Sequence, residues 1–571
     1  MSSMKHARIT RELTPRTTMD ALRKQAKRWL KDIEAGDPLA VERFRDAYPG
    51  DAPPKLREVQ HALAQEFGFA SWALLKQEIE DRARSHAQRV ELFLEKGVHR
   101  YGTDPRTGKW GGYERDGAAR GTLAARLLAK HPEIARENIH TAVLAHDIEA
   151  VREFLTKDAS LANDIHPFDG WRPLARLSYA RLPLPAVEVN ALPIATMLLD
   201  AGASAQSAGA EDMKGFTNLT GAIGGGEAGQ SPHPQAEALV RLLISRGADP
   251  LDGQAMYDTS LSEDDTFWLD LMWTECEKRG DDMAARWHTA IPDVIGPPLE
   301  YLLGNAVPNH PRRVAWLLEH GADANANNFY SKTPVIRHAA VAGQQVIVDL
   351  LARHGARAPQ LSEPERFLAA AAQGDIESLK SMAQAHPALL KMNGAMSAAI
   401  NGHRLDVVEA LLDLGMSPDV GDEKDFRALH LTTHAGAIEI TKLLIARGAQ
   451  IDAMERRYNS TALGHATYQA RPDMVALLAP LSRDIASLCW SGSADRLREL
   501  LVEDPSLANK PGRWGEPPLF CLPDQDETAV EVVEILLAHG ADRTARNKDG
   551  LTPEEAALKL GFEDTAAILA P

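Results

Sequence analysis

The sequence predicts an all-α protein in which short helix pairs stack on one another as a helical solenoid, and three observations predict it. A segment with paired leucines and a closing glycine, Leu317 to Ala326, returns at Leu350 to Ala356, Leu443 to Ala453 and Leu536 to Ala545. Neighbouring copies lie about 33 residues apart, a period typical of repeat architectures. A second signature follows about eleven residues after the glycine. The composition, 44% hydrophobic but only 6% aromatic, suits thin cores of Leu, Ala and Val.

The two signatures mark where helices end and begin. In the first, leucines form the core face and the glycine suits a left-handed C-cap. The second carries a threonine that can cap a new helix, or a proline suited to its first position. Its copies are Thr333-Pro334-Val335, Arg427-Ala428-Leu429-His430, Thr461-Ala462-Leu463 and Thr552-Pro553-Glu554. Each repeat is therefore predicted to be a turn followed by two antiparallel helices.

At these residues the chain resembles bacterial ankyrin-repeat proteins. Their T-P-L-H-x-A pattern is best matched by Arg427-Ala428-Leu429-His430-Leu431-Thr432. The register then continues through Gly436 to Leu443 and Gly448, and weaker copies extend it over most of the chain. The resemblance implies an ankyrin-type solenoid of about twelve helix pairs that binds partners, so that any catalysis would reside in insertions.

Four regions are predicted. Residues 1–80 form an N-terminal helical cap that begins with a basic amphipathic helix, Met19 to Lys31. Residues 81–250 are degenerate repeats interrupted by loops at 97–117 and 224–234. Residues 251–296 are a larger, acidic-aromatic helical insertion with one extra amphipathic helix. Residues 297–571 are repeats whose last unit, Asn547 to Leu569, is a polar cap facing water.

Charge and hydropathy limit the partners. The net charge is −17, although the first 31 residues carry nine Lys or Arg against two Asp or Glu. An acidic body disfavours nonspecific nucleic-acid binding, so a neutral or basic protein partner is predicted and no nucleic acid. No apolar run approaches the roughly 20 residues of a membrane span, and the first residues show no secretory signal, which favours a cytoplasmic protein. Cys276, Cys489 and Cys521 are predicted to be buried thiols.

Two histidine spacings are compatible with a metal site, but the repeat accounts for the same histidines as structural residues. His430 and His434 lie four apart, and His140 and His146 six apart. The resemblance implies that His430 and His140 are structural, with rings bonded to neighbouring turn backbone. His146 takes the place of a glycine between two helices, where histidine tolerates a positive φ. The sequence therefore predicts no metal and no cofactor.

The leading functional prediction is a protein–protein interaction scaffold that binds a polypeptide in a concave groove of turn tips and first helices. Affinity would come from shallow contacts with a few aromatic anchors. The candidate residues lie in the turns just before first helices: Asn328, Phe329, Tyr330, Arg456, Arg457, Tyr458, Arg513 and Trp514.

The alternative is an enzyme or small-molecule binder whose pocket is formed by the inserted loops 97–117 and 252–295. Aromatic and basic side chains there would suit an anionic or sugar-like ligand. The residues are Arg100, Tyr101, Arg106, Lys109, Trp110, Tyr113, Trp268 and Trp273. A third reading has the basic N-terminal helices contact RNA or lipid.

Overall fold

The structure is a computed structural model of the full chain. It describes residues 11–14, 17–48, 54, 56–99, 117–167, 169–207, 209, 216–226, 230–261, 263–289, 296–512 and 515–570. Two compact units are present. Unit 1 combines residues 1–83 with 362–571, and unit 2 comprises residues 84–361. Unit 2 is thus inserted in the sequence of unit 1.

Four helices form the N-terminal part of unit 1. They are α1 (Met19–Glu34), α2 (Pro38–Ala47), α3 (Leu56–Glu66) and α4 (Trp72–Ala83). Thr18 caps α1 by accepting the N–H of Ala21, and Asp37 caps α2. The apolar faces of these helices meet in one core with Trp29 and Phe44 near its centre.

Unit 2 contains fifteen helices, α5 to α19, in the residues described. They are α5 (His86–Lys96), α6 (Gly117–Lys130), α7 (Ile139–Leu144), α8 (Ile148–Lys157), α9 (Pro173–Ser178), α10 (Pro185–Asp200), α11 (Asn218–Ile223), α12 (Ala236–Ser245), α13 (Gly253–Ser260), α14 (Phe267–Arg279), α15 (Met283–His288), α16 (Pro298–Ala306), α17 (Pro311–Glu319), α18 (Val335–Val341) and α19 (Gln345–Arg353).

The rest of unit 1 continues as helix pairs. They are α20 (Glu363–Gln373), α21 (Ile376–Ala385), α22 (Asn393–Asn401), α23 (Leu405–Asp413), α24 (Ala428–Ala435), α25 (Ile438–Ala446), α26 (Ala462–Tyr468), α27 (Pro472–Leu478), α28 (Ile485–Trp490), α29 (Ala494–Glu503), α30 (Asp526–Ala538), α31 (Pro553–Lys559) and α32 (Glu563–Leu569). Short 3-10 turns follow several second helices, as at Pro387–Lys391 and Pro505–Ala508.

Within each unit, first helices stack on first helices. In unit 2 the row is α5, α7, α9, α11, α13 and α16, and in unit 1 it is α20, α22, α24, α26 and α28. Second helices pack behind them, for example α8 on α10 and α23 on α25. Each pair therefore buries its apolar face on its neighbours. The predicted all-α stack of helix pairs is confirmed.

Residues 251–296 contribute a stacked helix pair followed by α15, where the sequence predicts one extra helix. α13 lies between α11 and α16 in the row of first helices. α14 is linked to α12 by the Arg241–Glu275 ion pair (2.6 Å) and to α17 by the Trp316 Nε1–Asp270 bond (2.6 Å). The repeat escapes sequence recognition because Asp252, accepting the N–H of Ala255, caps α13 where a Thr-Pro signature is expected.

The cap predictions hold at several repeats and fail at one. Gly321 and Gly448 have φ of +98° and +86°, the left-handed conformation predicted after the paired leucines. Thr461 and Thr552 cap α26 and α31. Thr333 does not cap α18, because that helix begins at Val335 with Pro334 before it.

The N-terminal helices pack against the last repeat. Trp72 Nε1 donates to Asp564 Oδ2 (3.0 Å), and Arg23 binds both Asp564 and Glu563. Lys76 pairs with Asp526 (3.2 Å). We call these contacts the terminal clasp.

The terminal clasp corrects the prediction that the last unit faces water. Asp564 on α32 is only 4% exposed, because α1 and α4 cover it. On the basic face of α1, carboxylates engage Arg23, and Lys27 donates to the carbonyl of Ala567 (3.4 Å). The N-terminal segment therefore covers the C-terminal end of the array. Lys24 and Arg28 on the same helix are exposed, so contact with RNA or lipid stays a prediction.

Replacing Arg23 by alanine should destabilise unit 1 by roughly 3 kcal/mol, because it leaves a buried carboxylate without its cation. Lys24→Ala is the matched control from the same helix. Its pair with Asp20 joins side chains 76% and 71% exposed, so its loss should lower the free energy of unfolding far less than the loss of Arg23. Urea denaturation followed by circular dichroism measures both variants. Equal losses from the two would contradict a structural role for the clasp.

Candidate functional site

The first helices of neighbouring repeats in unit 1, and the turns before them, carry a row of aromatic rings. Phe426, in the turn before α24, lies 5.5 Å from His434, centroid to centroid. His465 on α26 lies 5.3 Å from His434 and 6.0 Å from Tyr458. These are ordinary separations for interacting rings. We call this row the aromatic surface: Phe426, His434, Tyr458, His465, Tyr468 and Trp490.

The far end of the aromatic surface is formed where α26 and α28 end. Tyr468 is the last residue of α26 and lies 6.5 Å from Trp490, the last residue of α28. Tyr468 and Tyr458 are 62% and 61% exposed, unusually high values for large side chains. Their phenol rings thus pack against neighbouring rings on one side and are exposed to solvent on the other.

A buried carboxylate fixes the turn that carries Tyr458. Glu455 is fully buried and accepts the N–H groups of Arg457 (2.5 Å), Tyr458 (3.0 Å) and Ser460 (3.2 Å). Burial raises the pKa of Glu455, but the N–H groups of Tyr458 and Arg457 outweigh it and lower the pKa overall. The charged carboxylate therefore holds the backbone of the turn.

A hydrogen-bonded chain connects that carboxylate to the exposed end of α26. Gln469 donates to His434 Nδ1, so the hydrogen of the His434 ring is on Nε2. This Nε2–H donates to His465 Nδ1 (3.3 Å). The His465 Nε2–H in turn donates to Glu455 Oε1 (3.4 Å). These three bonds run in one direction along the chain. Burial, and then the neighbouring His465, lower the pKa of His434. The chain thus orients the two rings.

The histidines singled out in the sequence are structural. His430 accepts the N–H of Arg427 (3.0 Å) and bonds to the carbonyl of Ala453 (3.1 Å), as predicted. Burial lowers the pKa of His430 to about 4. His140 binds the carboxylate of Asp164 (3.0 Å) rather than backbone. His146 has the predicted positive φ, 55°.

The predicted groove residues of unit 1 differ in their contacts and exposure. Arg456 forms an ion pair with Asp425 (2.7 Å), and its backbone N–H bonds to Lys424 O (2.7 Å), so it links neighbouring turns. Arg457 and Tyr458 are exposed at the same turn tip. Arg513 and Trp514 lie outside the described residues.

Phe329 and Tyr330 belong to unit 2, in the turn between α17 and α18. The Tyr330 hydroxyl lies 3.3 Å from that of Tyr301 on α16, and Lys332 Nζ lies 4.0 Å from the Phe329 ring centroid. Asn328 supports this turn by accepting the N–H groups of Tyr330 and Ser331. Tyr330 remains 57% exposed. The turn is a second, separate aromatic tip.

The insertion tryptophans face inward. Trp273 lies 5.1 Å from Trp287, 5.8 Å from Trp316 and 4.5 Å from His320. Trp268 is half-buried against the core of unit 2. The other predicted pocket residues lie outside the described part of the chain: Arg100, Tyr101, Arg106, Lys109, Trp110 and Tyr113. The loop pocket stays a prediction.

Within the described ranges, no helix is long and apolar enough to span a bilayer. No three His, Cys, Asp or Glu side chains in the same ranges gather as metal ligands. Cys276, Cys489 and Cys521 are buried free thiols, as predicted.

Several residues of the aromatic surface escaped sequence reasoning. Tyr468 and Trp490 end two successive first helices, and His434 is the next-to-last residue of the first helix before them. The candidate residues predicted from the sequence lie in turns, whereas these three aromatic residues lie at the ends of first helices. Aligning the repeats on the last residue of each first helix would have revealed the aromatic positions.

Comparison with known proteins identifies the repeats. The family model "Ankyrin repeats (3 copies)" matches residues 395–488, which include α24, α26 and most of α28. The putative ankyrin repeat protein YahD of Escherichia coli K12 is 25% identical over 178 residues, 29% of this chain and 89% of that protein. The ankyrin repeat domain of human ASB11 matches at 18% identity and a TM-score of 0.26, covering 41% of this chain and 97% of that one. Ankyrin repeats are thus recognised over residues 395–488, the segment that carries the aromatic surface except for Trp490.

Glu455→Gln should destabilise unit 1 by about 1–3 kcal/mol at neutral pH, because the charge-assisted bonds between the buried carboxylate and the turn are lost. Since the folded pKa of Glu455 is lowered, the wild-type advantage is complete above the unfolded value, about 4.3. It disappears as pH falls through the lower folded value. Urea midpoints of both proteins from pH 7 to pH 3 measure this difference, and a pH-independent gap would contradict the assignment.

Proposed function

We propose that the aromatic surface of unit 1 binds an extended polypeptide segment. Ankyrin repeats are generally protein–protein interaction modules. Tyr458 and Tyr468 support this particular surface because both are largely exposed on a ring-packed base. Tyrosine and tryptophan are enriched among residues that dominate binding energy.

Preorganisation supports the proposal. The turn of Tyr458 is held by Glu455, and α26 is tied to α24 through His434 and His465. Binding to a surface that is already ordered loses little conformational entropy, so more of the contact energy appears as affinity. The hydroxyl groups at the tips can exchange water for backbone amides of a bound chain.

The proposed partner is a neutral or basic polypeptide. The net charge of −17 disfavours acidic partners through long-range repulsion. At the surface itself, exposed Glu423 and Lys424 lie beside Arg456. This mixed rim favours a chain of uncharged and apolar residues with a few cations. The alternative of a ligand pocket beneath loop 97–117 remains a separate prediction.

A displayed peptide library selected on the immobilised full-length protein tests the proposal. Selected peptides are then titrated against wild type, Tyr458→Ala and Tyr468→Ala by fluorescence polarisation. Each substitution should raise Kd by roughly 30-fold, the equivalent of about 2 kcal/mol for a hot-spot residue. The exposed positions make loss of folding a minor concern, with stability changes within about 0.5 kcal/mol.

The matched control is Val502→Ala on the second helix α29, where Val502 is 73% exposed. It should leave Kd within about twofold, as expected for a surface residue outside the interface. Peptides that bind every variant equally, or that depend on Val502 instead, would refute the assignment.

A further inference from the structure

Hydrogen bonds join several of the connections between first and second helices in unit 2. After α5, Val98 pairs with Ala180 as an antiparallel bridge, and Arg181 N donates to Gly97 O (3.0 Å). The Arg181 guanidinium then donates to the carbonyls of Ser231 and Gly221, both at 2.8 Å. The connections of α5, α9 and α11 are thereby joined.

Three histidines are buried in the connections that follow α5, α7 and α11. His99, His146 and His233 are 6%, 1% and 2% exposed. Each has an Nε2 atom that is buried without a hydrogen-bond partner among the described residues. An unmade bond of this kind lowers a folding equilibrium constant by roughly five- to a hundred-fold. Three such atoms in one unit call for an additional hydrogen-bonding group.

The rings of His146 and His233 lie next to each other. Their centroids are 6.5 Å apart and the ring planes differ by 27°. An oxygen atom that forms two hydrogen bonds of about 2.9 Å at a roughly tetrahedral angle holds the two nitrogens about 4.5 to 5 Å apart. Ring centroids 6.5 Å apart are compatible with such a separation of the two Nε2 atoms.

The existing bonds define the tautomer of each ring. His146 Nδ1 lies 3.0 Å from the carbonyl of Leu144 and must donate its hydrogen to it, which leaves Nε2 as a bare acceptor. His233 Nδ1 accepts the N–H of Gln235 (3.0 Å), which leaves Nε2–H as the donor. The two free sites are one acceptor and one donor.

Both rings are neutral. Burial lowers the pKa of His146 to about 4, and burial followed by the charge of Arg181 lowers the pKa of His233 to about 2. His99 faces Arg181 and Arg120, and burial followed by those charges lowers its pKa to about 3. The tautomers therefore persist at physiological pH.

This pairing selects one ligand chemistry. An ionised carboxylate can only accept, so it would satisfy His233 and leave His146 unpaired. A metal ion or an ammonium group would satisfy His146 alone. A hydroxyl oxygen accepts from one ring and donates to the other. We propose that His146 and His233 form a binding site for a single neutral hydroxyl group, provided either by an internal water or by a small polyol.

A crystal structure of the full chain at a resolution that shows ordered solvent tests the proposal, with one crystal free of polyols and another soaked in glycerol. We expect an oxygen atom within about 3.2 Å of both Nε2 atoms. The same isolated oxygen in both crystals identifies water as the source, and a glycerol hydroxyl in the second identifies a polyol. Density that contacts only one ring, an adventitious additive only, or no density between the rings would overturn the site.

A solution measurement gives independent support. His146→Asn suits the positive φ at that position, and His233→Leu removes the donor. If one hydroxyl joins the rings, the double variant should be at least about fivefold more stable, in its unfolding equilibrium constant, than the product of the single effects implies. Independent effects would show that no common group is bound. This site is separate from the aromatic surface, so either proposal can fail alone.

Discussion

A helix pair of this size cannot bury its apolar face alone. The stacking of pairs within each unit follows from that constraint. Each pair in a unit is covered by its neighbours, so the pair at an end must be covered by something else. In unit 1 the covering element is the N-terminal helical segment. Asp564 is the central contact, because Trp72 and Arg23 both bind this buried carboxylate.

The same constraint explains which parts of the fold were predictable. Gly321, Gly448 and His430 have local roles set by backbone conformation or by a neighbouring turn, and these roles recur at every period. The pair α13 and α14 was missed because Asp252 replaces the usual helix-start signature. The terminal clasp joins residues 492 positions apart, Trp72 and Asp564, and no local pattern relates them.

The candidate site was predicted only in part, for a related reason. Turn chemistry pointed to Tyr458, whose place depends on the adjacent Glu455. Tyr468 acquires its neighbour Trp490 only when α26 stacks on α28. A similar distinction applies in unit 2, where His146 and His233, distant in the sequence, become neighbours only in the folded stack.

Rigidity and exposure are thus combined in unit 1. Buried polar groups such as Glu455 and His465 hold the backbone and the rings, while the phenols they support remain in solvent. The order of this surface depends on the stacked helices beneath it. The stability of that stack depends in turn on the N-terminal helices, which cover its last helix pair.

Native-state hydrogen exchange of the wild-type chain tests that closure most directly. Because α1, α4 and α32 share one packed contact, their slowest amides should exchange through a common opening, with equal free energies and equal denaturant dependence. Helix α32 exchanging at a much lower free energy than α1 and α4 would mean that the last repeat frays independently. The N-terminal segment would then not be what closes the array.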